Sequence, residues 1–413
     1  MPAEAKALTE RRGFDVVVVG GGVIGLACAW RLAQRGAEVV VLERGEPGGG
    51  ATRVAAGMLA PVGELTFGEP ELLELTLSAA RLYPEFVAEL EAATGEATGY
   101  ERLGALHVAL DRDEAAQLRR VHDLQCSLEL EAEWLPPRRC RDLEPGLTPS
   151  FHGGVFAAGE AVVDPRSLTR VLLAAAVEEG VEVCTGTEVV EALVEGERLV
   201  GVRTTPGSAG PLNRSAEQRS GGPFDRAGDN SIRAETVVLA NGAWSGATKW
   251  LPEHARPPVR PVKGQVVELR GRGEEPVARH ILASERVYLV PRPDGRLVVG
   301  ATVEEMGFDT AVTAGGILEL LREAYRLIPD VAEMELLGAT AGLRPGTPNN
   351  LPLVGPGAID GLVLATGHYR NGILLAPLAA ETVADLLSGR RSSFLGNRPI
   401  KDERAVTGLA RNS

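Results

Sequence analysis

Residues 14–44 read FDVVVVGGGVIGLACAWRLAQRGAEVVVLER. The run Val16, Val17, Val18, Val19 predicts a short buried strand, and Gly20, Gly21 and Gly22 predict a tight turn. An apolar helical segment beginning with Val23 and Ile24 follows, is broken at Gly36, and gives way to a second strand over 38–42 closed by Glu43. In this strand, turn, helix, strand order Gly20, Gly22 and Gly25 fit the G-x-G-x-x-G fingerprint of a dinucleotide site. Gly20 permits the sharp turn, Gly22 lets backbone N–H groups approach a pyrophosphate, and Gly25 lets the helix pack close to the strand. The helix N-terminus then turns its free N–H groups and positive dipole end toward the phosphates. Glu43, followed by Arg44, ends the second strand where a carboxylate accepts hydrogen bonds from ribose hydroxyls.

A chain of 413 residues has room for two domains with cores of their own. A formal net charge of −13 opposes nonspecific binding to nucleic acid or to an anionic membrane. Cys28, Cys126, Cys140 and Cys184 form no C-x-x-C pair, and the 6 histidines are scattered, so reduced packing thiols and no metal centre are expected. Residues 1–12 are polar and carry no signal-peptide core, and no apolar run is long enough to span a bilayer. A cytoplasmic protein is the expectation.

Beyond Glu43, segment 51–61 (ATRVAAGMLAP) is rich in small residues and helix-prone from Val54 onward. Its small side chains, Ala56 and Gly57 among them, would let a flat ring lie close to the backbone, with an ordinary buried helix as the alternative. Residues 69–93 have apolar side chains at helical spacing, with Pro84 expected to kink or split the helix. A strand is expected over 100–110 and an amphipathic helix over 111–130. Asp164 and Pro165 predict the start of a helix that Gly180 stops. Strands over 181–184, 188–194 and 199–203 follow. Residues 204–231, with almost no large apolar side chains, predict a mobile surface insertion between two hairpin strands.

Two later strands end alike: 236–240 runs into Asn241-Gly242, and 362–365 into Thr366-Gly367-His368. Both are expected to return to the sheet begun at Val16. Strand-like segments at 259–270, 286–291 and 295–302, with a helix at 313–327, predict an antiparallel sheet. The expected fold class is α/β: a discontinuous Rossmann-type dinucleotide-binding domain (13–92, 150–250 and 338–390) and a substrate-binding domain built on an antiparallel sheet (93–149 and 251–337).

Only one dinucleotide fingerprint is present, so oxygen or a quinone is favoured over NAD as electron acceptor. Five segments carry a resemblance: GGGVIGLACAWRLAQRGAEVVVLER (20–44), AAGMLAP (55–61), VYLVPRPDGRLVVGAT (287–302), AGLRPGTPNNLPLVG (341–355) and TGHYRNGILLAPLAAE (366–381). In that order they resemble the FAD-dependent D-amino-acid oxidase family, and within it the glycine oxidases of thiazole (thiamine) biosynthesis. The resemblance implies noncovalent FAD and oxidation of glycine and other small amines (sarcosine, small D-amino acids) to the imine, with oxygen reduced to hydrogen peroxide. It also implies transfer of the imine to thiazole synthase, and a homotetramer.

Arg344 matches the family's carboxylate-binding arginine, a role suited to a guanidinium fork with two parallel donors. Tyr288 matches its active-site tyrosine, with a core-packed ring as the alternative. Thr52 and Met58 match positions beside the flavin, and Val189 a backbone contact to the adenine. The segment Gly367, His368, Arg370, Asn371, Gly372, Ile373 and Leu374 forms a second cofactor element, in which a helix N-terminus would face the flavin. Arg370 either adds a cation beside that ring or fixes the loop through an ion pair, and His368 is equally well structural. Lys263 is expected on a solvated loop. Three residues depart from the family pattern: Arg53 near FAD, Arg286 before the tyrosine strand, and Val303 at the substrate pocket. Two alternatives stay open: a D-amino-acid dehydrogenase passing electrons to a quinone, and a non-catalytic FAD-binding scaffold.

Overall fold

The computed structural model describes residues 13–205, 230–273 and 275–390. Most of the expected 204–231 insertion lies outside the described residues. Its flanks are the antiparallel neighbours Arg198–Thr204 and Ser231–Leu239.

Among the described residues the strands form two eight-stranded sheets and one small two-stranded ribbon. The first sheet grows from Phe14–Val19, which pairs in parallel with Ser231–Leu239 on one side and Val39–Leu42 on the other. Val17 thereby stands opposite both Val237 and Val40. Leu362–Thr366 and Glu182–Cys184 extend the parallel set outward. Strands buried on both faces read as continuous Val and Leu runs, which is why these segments lack alternation. The helices Val23–Gln34, Pro165–Glu178 and Gly372–Leu387 cover one face through Leu26, Trp30, Leu172, Leu375 and Val383.

The second sheet runs Glu335–Gly346, Arg260–Arg270, Arg296–Gly300, Tyr288–Pro291, Ile281–Ala283, Ala105–Val108, Gly154–Ala157, Glu133–Leu135. Every neighbouring pair is antiparallel except Ile281–Ala283 with Ala105–Val108. Helix Ala314–Leu327 packs Leu320, Ala324 and Leu327 into the core of this half.

Four expectations need correction. Gly154–Ala157 and residues 338–346 fall in segments expected in the dinucleotide-binding domain, yet they pair in the second sheet. Neither was read as a strand, and their partners lie far away in sequence. The helix expected from Val54 onward is instead a short helix Ala51–Val54 that stops there. Gly57 takes φ +71 and Met58–Leu59 pairs with Ala161–Val162, so the backbone's pairing overrides the helical propensity. Pro84 does not split the helix Pro70–Thr94. Its ring is exposed while Tyr83, Phe86, Val87 and Leu90 stay buried, so continuous apolar packing outweighs one lost backbone hydrogen bond. The strand expected over 100–110 shortens to Ala105–Val108, preceded by an isolated bridge from Glu101 to Val162.

Candidate active site

A cleft of about 830 Å³ opens at the C-terminal ends of the parallel strands, where α/β sheets bind ligands, and continues to the second sheet. At its nucleotide end the backbone is tightly fitted. A Cβ on Gly20, at φ +111, would lie 2.5 Å from the Ala240 carbonyl oxygen, and one on Gly25 would lie 1.9 Å from the Gly20 oxygen. At Gly22, by contrast, the nearest atom to such a Cβ is Thr52 Oγ1 at 3.6 Å, so this side of the turn is open to the cleft. Glu43 is locked by two backbone donors: Gly21 N–H gives to Oε2 at 2.7 Å and Gly45 N–H to Oε1 at 2.8 Å. The remaining lone pairs of a fixed carboxylate suit a diol. The Val23 N–H donates to Thr52 Oγ1 at 3.2 Å, which places that hydroxyl at the helix N-terminus. Arg44 lies over the Trp244 ring, 4.3 Å from its centroid, and Val189 joins the wall nearby.

The other end is built from the second sheet and the turn before helix Gly372–Leu387. The Arg344 guanidinium lies flat on Gly264, where a Cβ would come within 2.2 Å of Nη1. Nη1 donates to the carbonyls of Thr302 at 3.0 Å and Lys263 at 3.3 Å, so one edge of the fork is anchored. The Tyr288 ring crosses Gly300, whose Cβ would meet the hydroxyl at 2.4 Å. Burial pushes the Tyr288 phenol up, while the positive charge of the adjacent Arg344 pulls it down. The Tyr369 N–H donates to the Pro345 carbonyl at 3.0 Å, tying the turn that carries Arg370 to the strand that carries Arg344. His368 is 2% exposed, its Nε2 has no partner among the described residues, and burial pushes it down to about 3. It is neutral at working pH and packs within the turn.

The cleft wall brings together Gly20, Gly22, Val23, Ile24, Glu43, Arg44, Thr52, Ala56, Gly57, Met58, Val189, Asn241, Gly242, Tyr288, Arg344, His368, Arg370, Gly372 and Ile373. Five expected residues lie off it. Gly25 and Gly367 serve close packing, since a Cβ on Gly367, at φ +77, would meet Thr347 Cγ2 at 2.5 Å. Leu374 points into the core of the first half. Asn371 lines a small neighbouring pocket with Glu64 and Arg370. Val303 is 62% exposed and outside the cleft, so pocket shape cannot turn on it. Arg53 and Arg286 are exposed as well. Lys263 is not a solvated loop lysine: it lies on strand Arg260–Arg270 with its side chain fully buried, and Nζ reaches Asp309 at 3.0 Å and Glu304 at 3.5 Å.

Three residues on or behind this wall escaped the sequence. Trp244 lines the cleft, and its only signal was its place in the strand-end motif NGAW. Arg292 is buried and donates through Nη2 to the Ala56 carbonyl, holding the small-residue loop in place; burial pushes it down to about 10, so it stays charged. Glu64 lines the cleft beside Arg344 and Arg370. Its loop is latched by Glu160, whose Oε1 accepts from the N–H groups of Val62 at 2.9 Å and Gly63 at 3.0 Å.

Burial pushes Glu160 up to about 8. An acid that holds its proton more tightly when folded gives full stability below its unfolded pKa and loses it as pH rises through the folded one. Relative to Glu160→Gln, the parent protein is therefore expected to lose thermal stability between about pH 5 and about pH 8. Melting curves of both proteins across that window check this, and parallel pH profiles would contradict it.

The model of the family described as "FAD dependent oxidoreductase" matches residues 15–386. The chain belongs to this family. FAD is accordingly its cofactor, and the open face at Gly22 and the locked Glu43 fit that group. Within the family, a glycine oxidase of Geobacillus kaustophilus is 34% identical over 387 residues, covering 92% of this chain and 94% of the relative. The crystal structure of glycine oxidase from that organism superposes with TM-score 0.80 at 33% identity, covering 92% of this chain and 96% of the other. A bifunctional protein ThiO/ThiG of Trichormus variabilis is 38% identical over 383 residues. The match takes in 92% of this chain, which spans only about half (54%) of that relative. Among the described residues no helix is long and apolar enough to cross a membrane, and no cluster of His, Cys, Asp or Glu could hold a metal ion.

Proposed function

We propose that the protein oxidises glycine and other small amines, such as sarcosine and small D-amino acids, to the imine, with oxygen reduced to hydrogen peroxide. The observation that carries this reading is Arg344, half-anchored on backbone carbonyls beside Tyr288, at the far end of a cleft that begins with a dinucleotide turn. The free edge of the guanidinium holds a substrate carboxylate through charge-assisted hydrogen bonds, and the Tyr288 hydroxyl adds a further contact. Arg370 contributes positive charge from the adjoining turn.

Bound FAD supplies the two-electron acceptor for the hydride that leaves the substrate Cα. The backbone around Gly22, Val23 and Ile24 would hold its pyrophosphate and Glu43 its ribose. Ala56, Gly57, Met58, Asn241, Gly242 and the turn ending at Gly372 and Ile373 would surround the ring. Arg370 and the N-terminus of helix Gly372–Leu387 would favour negative charge on that ring. What remains for the protein is to fix the substrate's Cα–H direction, and positioning is the main source of rate.

The family resemblance and the match to one half of a ThiO/ThiG protein support a place in thiamine biosynthesis, with the imine passed to a thiazole synthase, in the cytoplasm. A homotetramer is the proposed assembly. Oxygen uptake and peroxide formation, measured in air with glycine, sarcosine and D-alanine, test the reading. Peroxide from glycine at a rate matching or exceeding the others is expected. Flavin that these amines reduce but oxygen fails to reoxidise would favour the quinone-linked dehydrogenase.

A further inference from the structure

Glu64 is a carboxylate in a site otherwise built to attract one. It lines the cleft with Tyr288, Arg344 and Met58, and with Arg370 it also lines the adjoining small pocket. Among the described residues its side chain makes no hydrogen bond or ion pair within 4.0 Å, unlike Glu43, Glu160, Glu268 and Glu304. Its placement is nonetheless enforced. The loop is held at Val62 and Gly63 by Glu160, at the Val62 carbonyl by Gln125 Nε2 (2.9 Å), and by the bond from Glu64 N–H to the Ala60 carbonyl (2.9 Å). An unpartnered carboxylate held at a cleft wall by three sets of contacts is placed to meet the cation of a ligand.

A zwitterionic amino acid offers one anion and one cation, and this end of the cleft offers the guanidinium groups of Arg344 and Arg370 and the carboxylate of Glu64. We propose that Glu64 is the residue that reads the substrate's amine: it pairs with the ammonium group and takes its proton before oxidation. In that step an ammonium N–H bond breaks and an O–H bond forms on Glu64. The electron pair left on nitrogen closes the C=N bond as Cα–H is given up as hydride to the flavin. This inference rests on the reading of the site as an amino-acid oxidase. The groups facing Glu64 are Arg370 from the turn before the last helix, Arg344 and Tyr288 from the second sheet, Glu160 from beneath the loop, and Glu69 across the small pocket. Burial raises the Glu64 carboxyl above the ordinary carboxylate range, with Arg370 and then Arg344 opposing, which makes it a better proton acceptor than an exposed glutamate.

Glu64→Gln holoenzyme tests this with two ligands, glycine and acetate, the latter lacking an amine. Acetate binding, read from the flavin spectrum, is expected to be unchanged or tighter, because a negative charge has left the cavity. The kcat/KM for glycine is expected to fall at least about tenfold. Its rise with pH is expected to move upward, toward the ionisation of the substrate ammonium itself. Equal loss of acetate and glycine would assign Glu64 to loop structure, and an unchanged glycine pH profile would remove it from the proton step. If the parent enzyme binds acetate but oxidises no amine, the reading of the site fails instead.

Discussion

Arg344→Ala holoenzyme is expected to keep its FAD and to lose most of its hold on glycine. The guanidinium reaches the cleft from the second sheet and is anchored only through Nη1 on the carbonyls of Thr302 and Lys263. Its removal leaves the dinucleotide turn untouched. Truncating one partner of a buried, hydrogen-bonded charge pair costs about 2–4 kcal/mol, which corresponds to a rise of roughly 30- to 700-fold in the apparent substrate constant. Acetate is expected to lose its effect on the flavin spectrum to a similar degree. Loss of FAD from the purified variant would place Arg344 in the cofactor site and overturn its assignment.

The second large effect separates two glycines of one fingerprint. A methyl at Gly22 meets no atom closer than Thr52 Oγ1 at 3.6 Å, whereas a methyl at Gly25 falls 1.9 Å from the backbone oxygen of Gly20. Gly22→Ala is therefore expected to fold with the thermal stability of the apoprotein and to bind FAD at least about tenfold more weakly, because the methyl occupies space the pyrophosphate needs. Gly25→Ala is expected to lose folding itself, since helix Val23–Gln34 would have to move off the strand end, and overpacking of a tight core costs about 1–3 kcal/mol or more. Melting temperatures of the apoproteins, with FAD titrations for whichever variant folds, check both halves. A Gly25→Ala protein as stable as the parent would contradict the packing role.

These contrasts indicate what a sequence can carry. The turn, the first helix and Glu43 were legible because the dinucleotide site is built from one contiguous stretch with fixed spacing. Arg344 and Tyr288 were legible through longer motifs, although nothing in those motifs revealed that Gly264 and Gly300 make room for their side chains. Glu64 was not legible: its place in the cleft depends on Glu160 and Gln125, which lie 98 and 63 residues away from the Val62 backbone they hold. Val303 and Leu374 show the converse limit. Val303 lies beyond the end of strand Arg296–Gly300 and faces solvent, and Leu374 turns into the core one residue after Ile373, which lines the cleft. The strand at 154–157 and residues 338–346 were not read as strands, and their sheet membership is set by partners far along the chain.

The most direct test of glycine oxidation by this protein is to add glycine to the purified yellow protein under nitrogen and then admit air. The flavin's visible absorption is expected to bleach with glycine and to return on exposure to oxygen as hydrogen peroxide appears. A flavin that stays oxidised with glycine, sarcosine and D-alanine alike would contradict it, leaving an FAD-binding protein without this chemistry.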